Sequence, residues 1–114
     1  MELTTWNLPV LALRGLTVFP HTNLTFDVER RISMKALEVA METGQEIFLV
    51  TQREIGVNTP AEKDLFAVGT ISHIVQVLRL SNTSVRCVVE GRSRARLRRL
   101  WQTEPFLQAN VELL

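Results

Sequence analysis

Leu8-Pro9-Val10-Leu11-Ala12-Leu13 is apolar at every position, so a strand formed here shows no water-facing side and must be covered on both. That requirement constrains the fold more than any other stretch, because the rest of the chain has to supply two apolar layers around it. Proline cannot donate to a ladder, so Pro9 belongs near the start or edge of the strand. Arg14-Gly15 and Phe19-Pro20-His21 then break the run and mark an irregular connection.

The remaining segments are mostly of β period. Leu24, Phe26 and Val28 alternate with Thr25, Asp27 and Glu29, which predicts a half-buried strand. The spacing predicts one helix over Ile32–Thr43, with Ala36, Leu37, Ala40 and Met41 forming its apolar stripe. Gly44 follows where a left-handed residue usually ends a helix. Arg30 and Arg31 sit poorly beside the positive end of the helix dipole, and solvation is the one role the sequence offers them.

Glu46–Gln52 holds a short central strand, Ile47-Phe48-Leu49-Val50, and Arg53–Asp64 reads as a polar loop. Phe66–Leu80 is a long strand in which Gly69 should allow a bend or bulge. Ser81-Asn82-Thr83 is a turn, and Ser84–Glu90 returns antiparallel as a hairpin. Gly91 should break that ladder before a further strand, Arg92–Trp101, and Leu107, Ala109, Val111 and Leu113 mark a last one. The short turns disfavour β-α-β units and a parallel sheet. The expectation is a mainly β (α+β) domain, a partly closed antiparallel barrel of about six or seven strands with one packed helix.

With 46% hydrophobic and 22% charged residues in 114, the chain can bury a real core as one domain, residues 1–114. It runs out inside the apolar stretch Glu112-Leu113-Leu114, as the front piece of a longer polypeptide would. The net charge of +1 is unevenly spread: six Lys/Arg against nine Asp/Glu up to Asp64, then seven Arg against three Glu. One cysteine, Cys87, cannot form an internal disulfide, and in an apolar strand it is expected to be an inert core thiol. No basic leader or cleavage site is visible, and the longest uncharged stretch, Leu65–Leu78, falls short of the roughly 18–20 residues that span a bilayer. A cytoplasmic protein without membrane contact is expected, so the N-x-S/T triplets at Asn23 and Asn82 carry no weight.

Catalytic chemistry is hard to find. None of the five glycines is followed by lysine, so there is no phosphate-cradling loop, and no G-x-S-x-G elbow occurs. Ser33 and Lys35 lie about 200° apart on a helix, which defeats a Ser-Lys dyad. His21 and His73 are isolated and fit structural or solvated roles better than a metal site. No catalytic residue, metal or cofactor is assigned to these residues.

Several segments, in order, resemble the N-terminal domains of ATP-dependent Lon-type proteases: Leu8–Arg14, Val18-Phe19-Pro20-His21, the helix with Ala36-Leu37-Glu38 and Ala40-Met41, Ile47–Gln52, Asp64–Thr70, and Val89-Glu90-Gly91 with Arg94-Ala95-Arg96. Together they cover nearly the whole chain. One departure is Ala12, where proline is common in the family. The resemblance implies a PUA-like β-barrel that binds substrates. It also implies a parent protease in which an ATPase module, served by ATP and Mg, and a Ser-Lys peptidase module lie beyond residue 114. That parent would be a homo-hexamer degrading misfolded and regulatory proteins.

A receptor for unfolded polypeptide should expose a modest apolar patch or a strand edge. The candidate is the hairpin tip, where Leu78 and Leu80 project from one face beside the turn, with Val77 adjacent; the alternative is that they complete the core or pack on a neighbouring domain. The rival function is nucleic-acid binding through Arg92, Arg94, Arg96 and Arg98, whose alternation places four guanidiniums along one strand face. No aromatic residue interleaves with them, and a solvated face paired with Glu90, Glu104 or other acids accounts for them better, with protein contacts as a further alternative. A stand-alone adaptor of the same fold is the third reading.

Overall fold

The computed structural model describes residues 5–114. Six strands and one α-helix follow in the order β1 (Thr5–Leu13), β2 (Asn23–Val28), α1 (Arg31–Glu42), β3 (Glu46–Thr51), β4 (Val68–Arg79), β5 (Val85–Gln102) and β6 (Leu107–Leu113), with a single 3-10 turn at Glu62–Asp64. The sheet order is β2-β5-β4-β3-β1-β6, and β6 also pairs with β5. Strands β1, β3, β4, β5 and β6 therefore close into a barrel, and β2 extends from the free half of β5. The mainly β fold with one packed helix is as expected. One pairing differs: β1 runs parallel to β3, with Val10 opposite Phe48 and Leu13 opposite Thr51. The crossover that a parallel pair requires is made by the segment containing β2 and α1.

The apolar run of β1 has the two coverings it needs. Leu8, Val10 and Ala12 point into the barrel with Phe48, Val50, Leu65, Ile71, Ala95, Leu107, Ala109 and Val111. Leu11 and Leu13 face the other way, into a second core with Ile47, Leu49, Phe26, Val28 and the α1 residues Ala36, Leu37 and Ala40. The helix buries Ser33, Ala36, Leu37 and Ala40, whereas Met41 is 40% exposed and lies at the border of the stripe. Gly44 (φ 112°) ends the helix as expected, and Gln45 (φ 65°) shares the left-handed turn.

Strand β5 replaces two expected strands. Gly91 does not break the ladder: the pairing with β4 continues through it, with one register shift. Ser72 faces Gly91 and Ile71 faces Ser93, so Arg92 is the extra residue of a bulge. The bulge lets β5 change cores without changing its alternation. Val85, Cys87 and Val89 belong to the helix-side core, and Ala95 belongs to the barrel. Gly91 is where the 14–22 connection crosses, and any Cβ there would collide with the Phe19 carbonyl. Gly69 is not a bulge either. It admits the Phe48 ring and the Leu49 carbonyl, which a Cβ would displace.

Arg30 and Arg31 receive different accounts. Arg30 precedes the helix and is half-buried; its guanidinium donates to the carbonyl of Ala12 at 2.6 Å and to Oε1 of Gln52 at 2.6 Å. Gln52, itself buried, donates through Nε2 to the carbonyls of Glu54 and Val57. Arg14 holds the same loop through Asn58 Oδ1 at 2.8 Å. Arg31 is exposed, in keeping with solvation.

Candidate functional site: the β4–β5 hairpin and the arginine strand

Local chemistry ties the hairpin tip. The N–H of Leu80 donates to the Ser84 carbonyl at 3.0 Å, and the Ser81 and Ser84 hydroxyls lie 2.9 Å apart. Below the tip, Ile74 faces Val89 and Gln76 faces Val88, so Val75 is the extra residue of a bulge. Side chains beyond it alternate about the sheet. Val77 turns inward, opposite Cys87, and packs against the helix-side core. Leu78 and Leu80 turn outward and are 45% and 46% exposed, and the bulged Val75 is 52% exposed.

The hairpin therefore has two apolar surfaces instead of one patch. Leu78 and Leu80 share the solvent face, beside the Arg86–Asp27 ion pair that closes at 2.8 Å. That hydrogen-bonded pairing holds the Asp27 carboxyl below its ordinary value and raises Arg86. Val77 lines an open groove of about 700 Å³ on the other face, with Met34, Leu37, Met41 and Val85. The reading of the sequence missed Val75, because a bulge set by cross-strand register leaves no mark in a locally alternating strand.

The four arginines do not form one row. The bulge at Arg92 turns that side chain toward Glu90, with an Nε to Oε1 distance of 3.2 Å. Arg94 stands on the other side of the sheet, opposite Thr70, whose hydroxyl donates to the Val18 carbonyl at 2.7 Å. A second bulge falls at Arg98, which pairs with Glu112 at 3.1 Å. Two of the four are thus neutralised by acidic neighbours, Glu90 being one of those anticipated; Glu104 pairs with none of them among the described residues. Arg94 lies 5.4 Å from the centroid of the Phe19 ring, which is half-exposed. That aromatic partner comes from the distant 14–22 connection, so inspection of the strand alone could not find it.

Cys87 is fully buried beneath the hairpin, and desolvation pushes its thiol up to about 12. His73 is half-buried with Nδ1 3.9 Å from Glu46 Oε1, and His21 occupies a left-handed position (φ 64°) whose N–H donates to the Gly91 carbonyl. Both histidines thus have structural settings. The one α-helix among the described residues is neither long nor apolar enough to cross a membrane.

The described residues thus form a two-core barrel with exposed aliphatic side chains on a tied hairpin. Residues 7–114 match the family model of the substrate-binding domain of ATP-dependent protease La (LON), and the chain belongs to that family. It is 43% identical over 105 residues to the Lon protease of Clostridioides difficile, covering 92% of this chain and 13% of that protein. With the Lon protease of Clostridium acetobutylicum the identity is 46% over 104 residues, again 13% of the relative. The chain thus spans about one-eighth of the length of these curated relatives. Among solved structures, the N-terminal domain of a Mycobacterium avium complex Lon protease superposes with a TM-score of 0.70 at 20% identity, over 96% of this chain and 54% of that one. The Lon N-terminal domain protein of Xanthomonas campestris gives 0.69 at 17% identity, over 95% of this chain and 59% of that one. At those identities the structures speak to the fold.

Proposed function

We propose that the chain recognises unfolded or damaged polypeptide for an ATP-dependent serine protease and performs no catalysis itself. The observation that carries this reading is the outward exposure of Leu78, Leu80 and Val75 on a hairpin fixed by its own turn. Apolar side chains distinguish an unfolded chain from a folded one, so a receptor needs apolar surface that its own core does not consume. The patch is small and offers a few kcal/mol of contact at most. Association and ordering costs offset most of that, giving a dissociation constant of about 10⁻⁴ M or weaker for one site.

Such weakness suits a receptor presented in several copies. In the parent protease of the family we place this domain in a cytoplasmic homo-hexamer, where six copies raise the effective affinity while each contact stays promiscuous. ATP, Mg and the Ser-Lys dyad would serve modules outside these residues. A titration of isotope-labelled chain with reduced, carboxymethylated α-lactalbumin, followed by backbone amide shifts, tests the assignment. Shifts should gather at residues 75–80 and vanish in the Leu78→Ser, Leu80→Ser double variant. Shifts elsewhere, or unchanged binding by that variant, would sink the hairpin assignment.

The stacking of Arg94 on half-exposed Phe19 favours a second reading, single-stranded nucleic acid held by Arg94 and Arg96 with Phe19 as a stacking platform. The ion pairs of Arg92 and Arg98 weigh against it, since each must be broken before a phosphate can be met.

A further inference from the structure

We infer that the unpaired edge of β2 accepts an extended segment of unfolded polypeptide as an added strand, in the cleft between β2 and the end of β1. This rests on the reading that unfolded polypeptide is the ligand, but it places the contact on the backbone of Thr25 and Asp27, away from the hairpin leucines.

Among the described residues strand β2 has one neighbour, β5. Where it begins, the N–H of His21 donates to the Gly91 carbonyl and the N–H of Gly91 to the Thr22 carbonyl. Counting along the register from there, Leu24–Val89, Phe26–Cys87 and Val28–Val85 are the hydrogen-bonded pairs. Asn23, Thr25 and Asp27 therefore turn their N–H and C=O groups away from β5. Among the described residues no backbone or side-chain group bonds them. Exposed edges are usually blunted by lysine, proline, a bulge or a covering segment. Within Asn-Leu-Thr-Phe-Asp-Val there is no lysine or proline, and six successive pairs hold one register without a bulge.

A cleft of about 310 Å³ lies between β2 and the end of β1, where apolar Leu11, Leu16 and Phe26 meet the polar or charged Arg14, Glu29 and Ser33. Its far wall does not compete for the visitor's backbone, because the Ala12 carbonyl is already taken by Arg30. An incoming strand would bond β2 on one side and set an aliphatic side chain into the cleft. Backbone pairing is indifferent to sequence, and the mixed lining of the cleft admits an aliphatic side chain without excluding a polar one. Both suit an unfolded chain, which carries unpaired amides along its whole length.

The test uses the same carboxymethylated α-lactalbumin and the Thr25→Pro variant. Proline at this position removes an outward N–H and spares the ladder to β5. Its binding should weaken about tenfold, the worth of one hydrogen bond. In the wild-type chain, amide exchange at Thr25 and Asp27 should slow when the ligand is added. Wild-type affinity in Thr25→Pro, or unchanged exchange at both amides in the bound chain, overturns the inference. If Thr25→Pro loses its native circular dichroism, the exchange measurement decides alone. Loss of binding in the Leu78→Ser, Leu80→Ser variant with none in Thr25→Pro removes the edge site and leaves the hairpin reading standing. The reverse result removes the hairpin and supports the edge. Absence of binding by the wild-type chain defeats both, and protection at Thr25 and Asp27 that rises with protein concentration alone overturns the inference in favour of a second copy pairing edge to edge.

Discussion

Arg30 Nη2 lies 2.6 Å from the carbonyl oxygen of Ala12, so the residue that leads into the helix also seals the open end of β1. The other terminal nitrogen reaches Gln52, at the same distance. Burial, and secondly the nearby charge of Arg14, lower the Arg30 pKa from its ordinary value, yet a guanidinium stays charged throughout the accessible range. Arg30→Met should cost about 1.5–3 kcal/mol, the usual scale for hydrogen bonds to a charged donor. Arg30→Lys should recover little, since one ammonium cannot reproduce the fork that spans both acceptors. A urea midpoint unchanged in Arg30→Met would show that the contact contributes nothing to stability.

Helix α1 gives a paired test. Leu37 is buried and Met41 is 40% exposed. Leu37→Ala should therefore cost about 2–5 kcal/mol. Met41→Ala should fall below that range, because two-fifths of its surface already stands in water. Equal denaturation curves for the two variants would show that the helix is seated differently.

The Cys87 thiol titrates at about 12 against an ordinary 9.0, raised by desolvation. Raising the folded-state pKa favours the protonated form in the native protein. The stability linked to this group is whole below pH 9 and declines as the pH climbs toward 12, by at most about 1.4 kcal/mol per unit. At pH 8 the native chain should resist a thiol-reactive disulfide reagent, and urea should release a single fast-reacting equivalent. Stoichiometric labelling of the folded chain within seconds would contradict the buried setting.

For nucleic acid, binding to a duplex or a single strand at physiological salt should be no tighter than about 10⁻⁵ M, near the range of generic contacts. Fluorescence anisotropy at two salt concentrations measures this. Submicromolar binding that disappears on charge reversal of Arg94 and Arg96 would raise the second reading above the first.

The alternation of Leu24, Phe26 and Val28, the double apolar character of β1 and the helix stripe were all legible, because each is written in neighbouring residues. The parallel pairing of β1 with β3 was not, since it depends on where the crossover lands. Gly91 misled for a physical reason: a glycine that breaks a strand and one that admits the Phe19 carbonyl look alike in sequence. Strand alternation, by contrast, already separated Leu78 and Leu80 from Val77 by face. Position beside a turn left open whether Leu78 and Leu80 complete the core, and they stand exposed, whereas the binding role assigned to them depends on a partner that no local pattern describes.

Thr5 pairs with Glu112 and Trp6 with Val111, so the first strand finds one of its two neighbours more than a hundred residues downstream. During synthesis, β1 leaves the ribosome early and must wait for β6 before the ring can shut. Throughout that interval Leu8, Val10 and Ala12 have no completed barrel to enter. Long-range closure of this kind slows folding and prolongs the exposure of apolar segments. A nascent domain for which we propose the recognition of incomplete folding thus passes through the very condition it would detect in others.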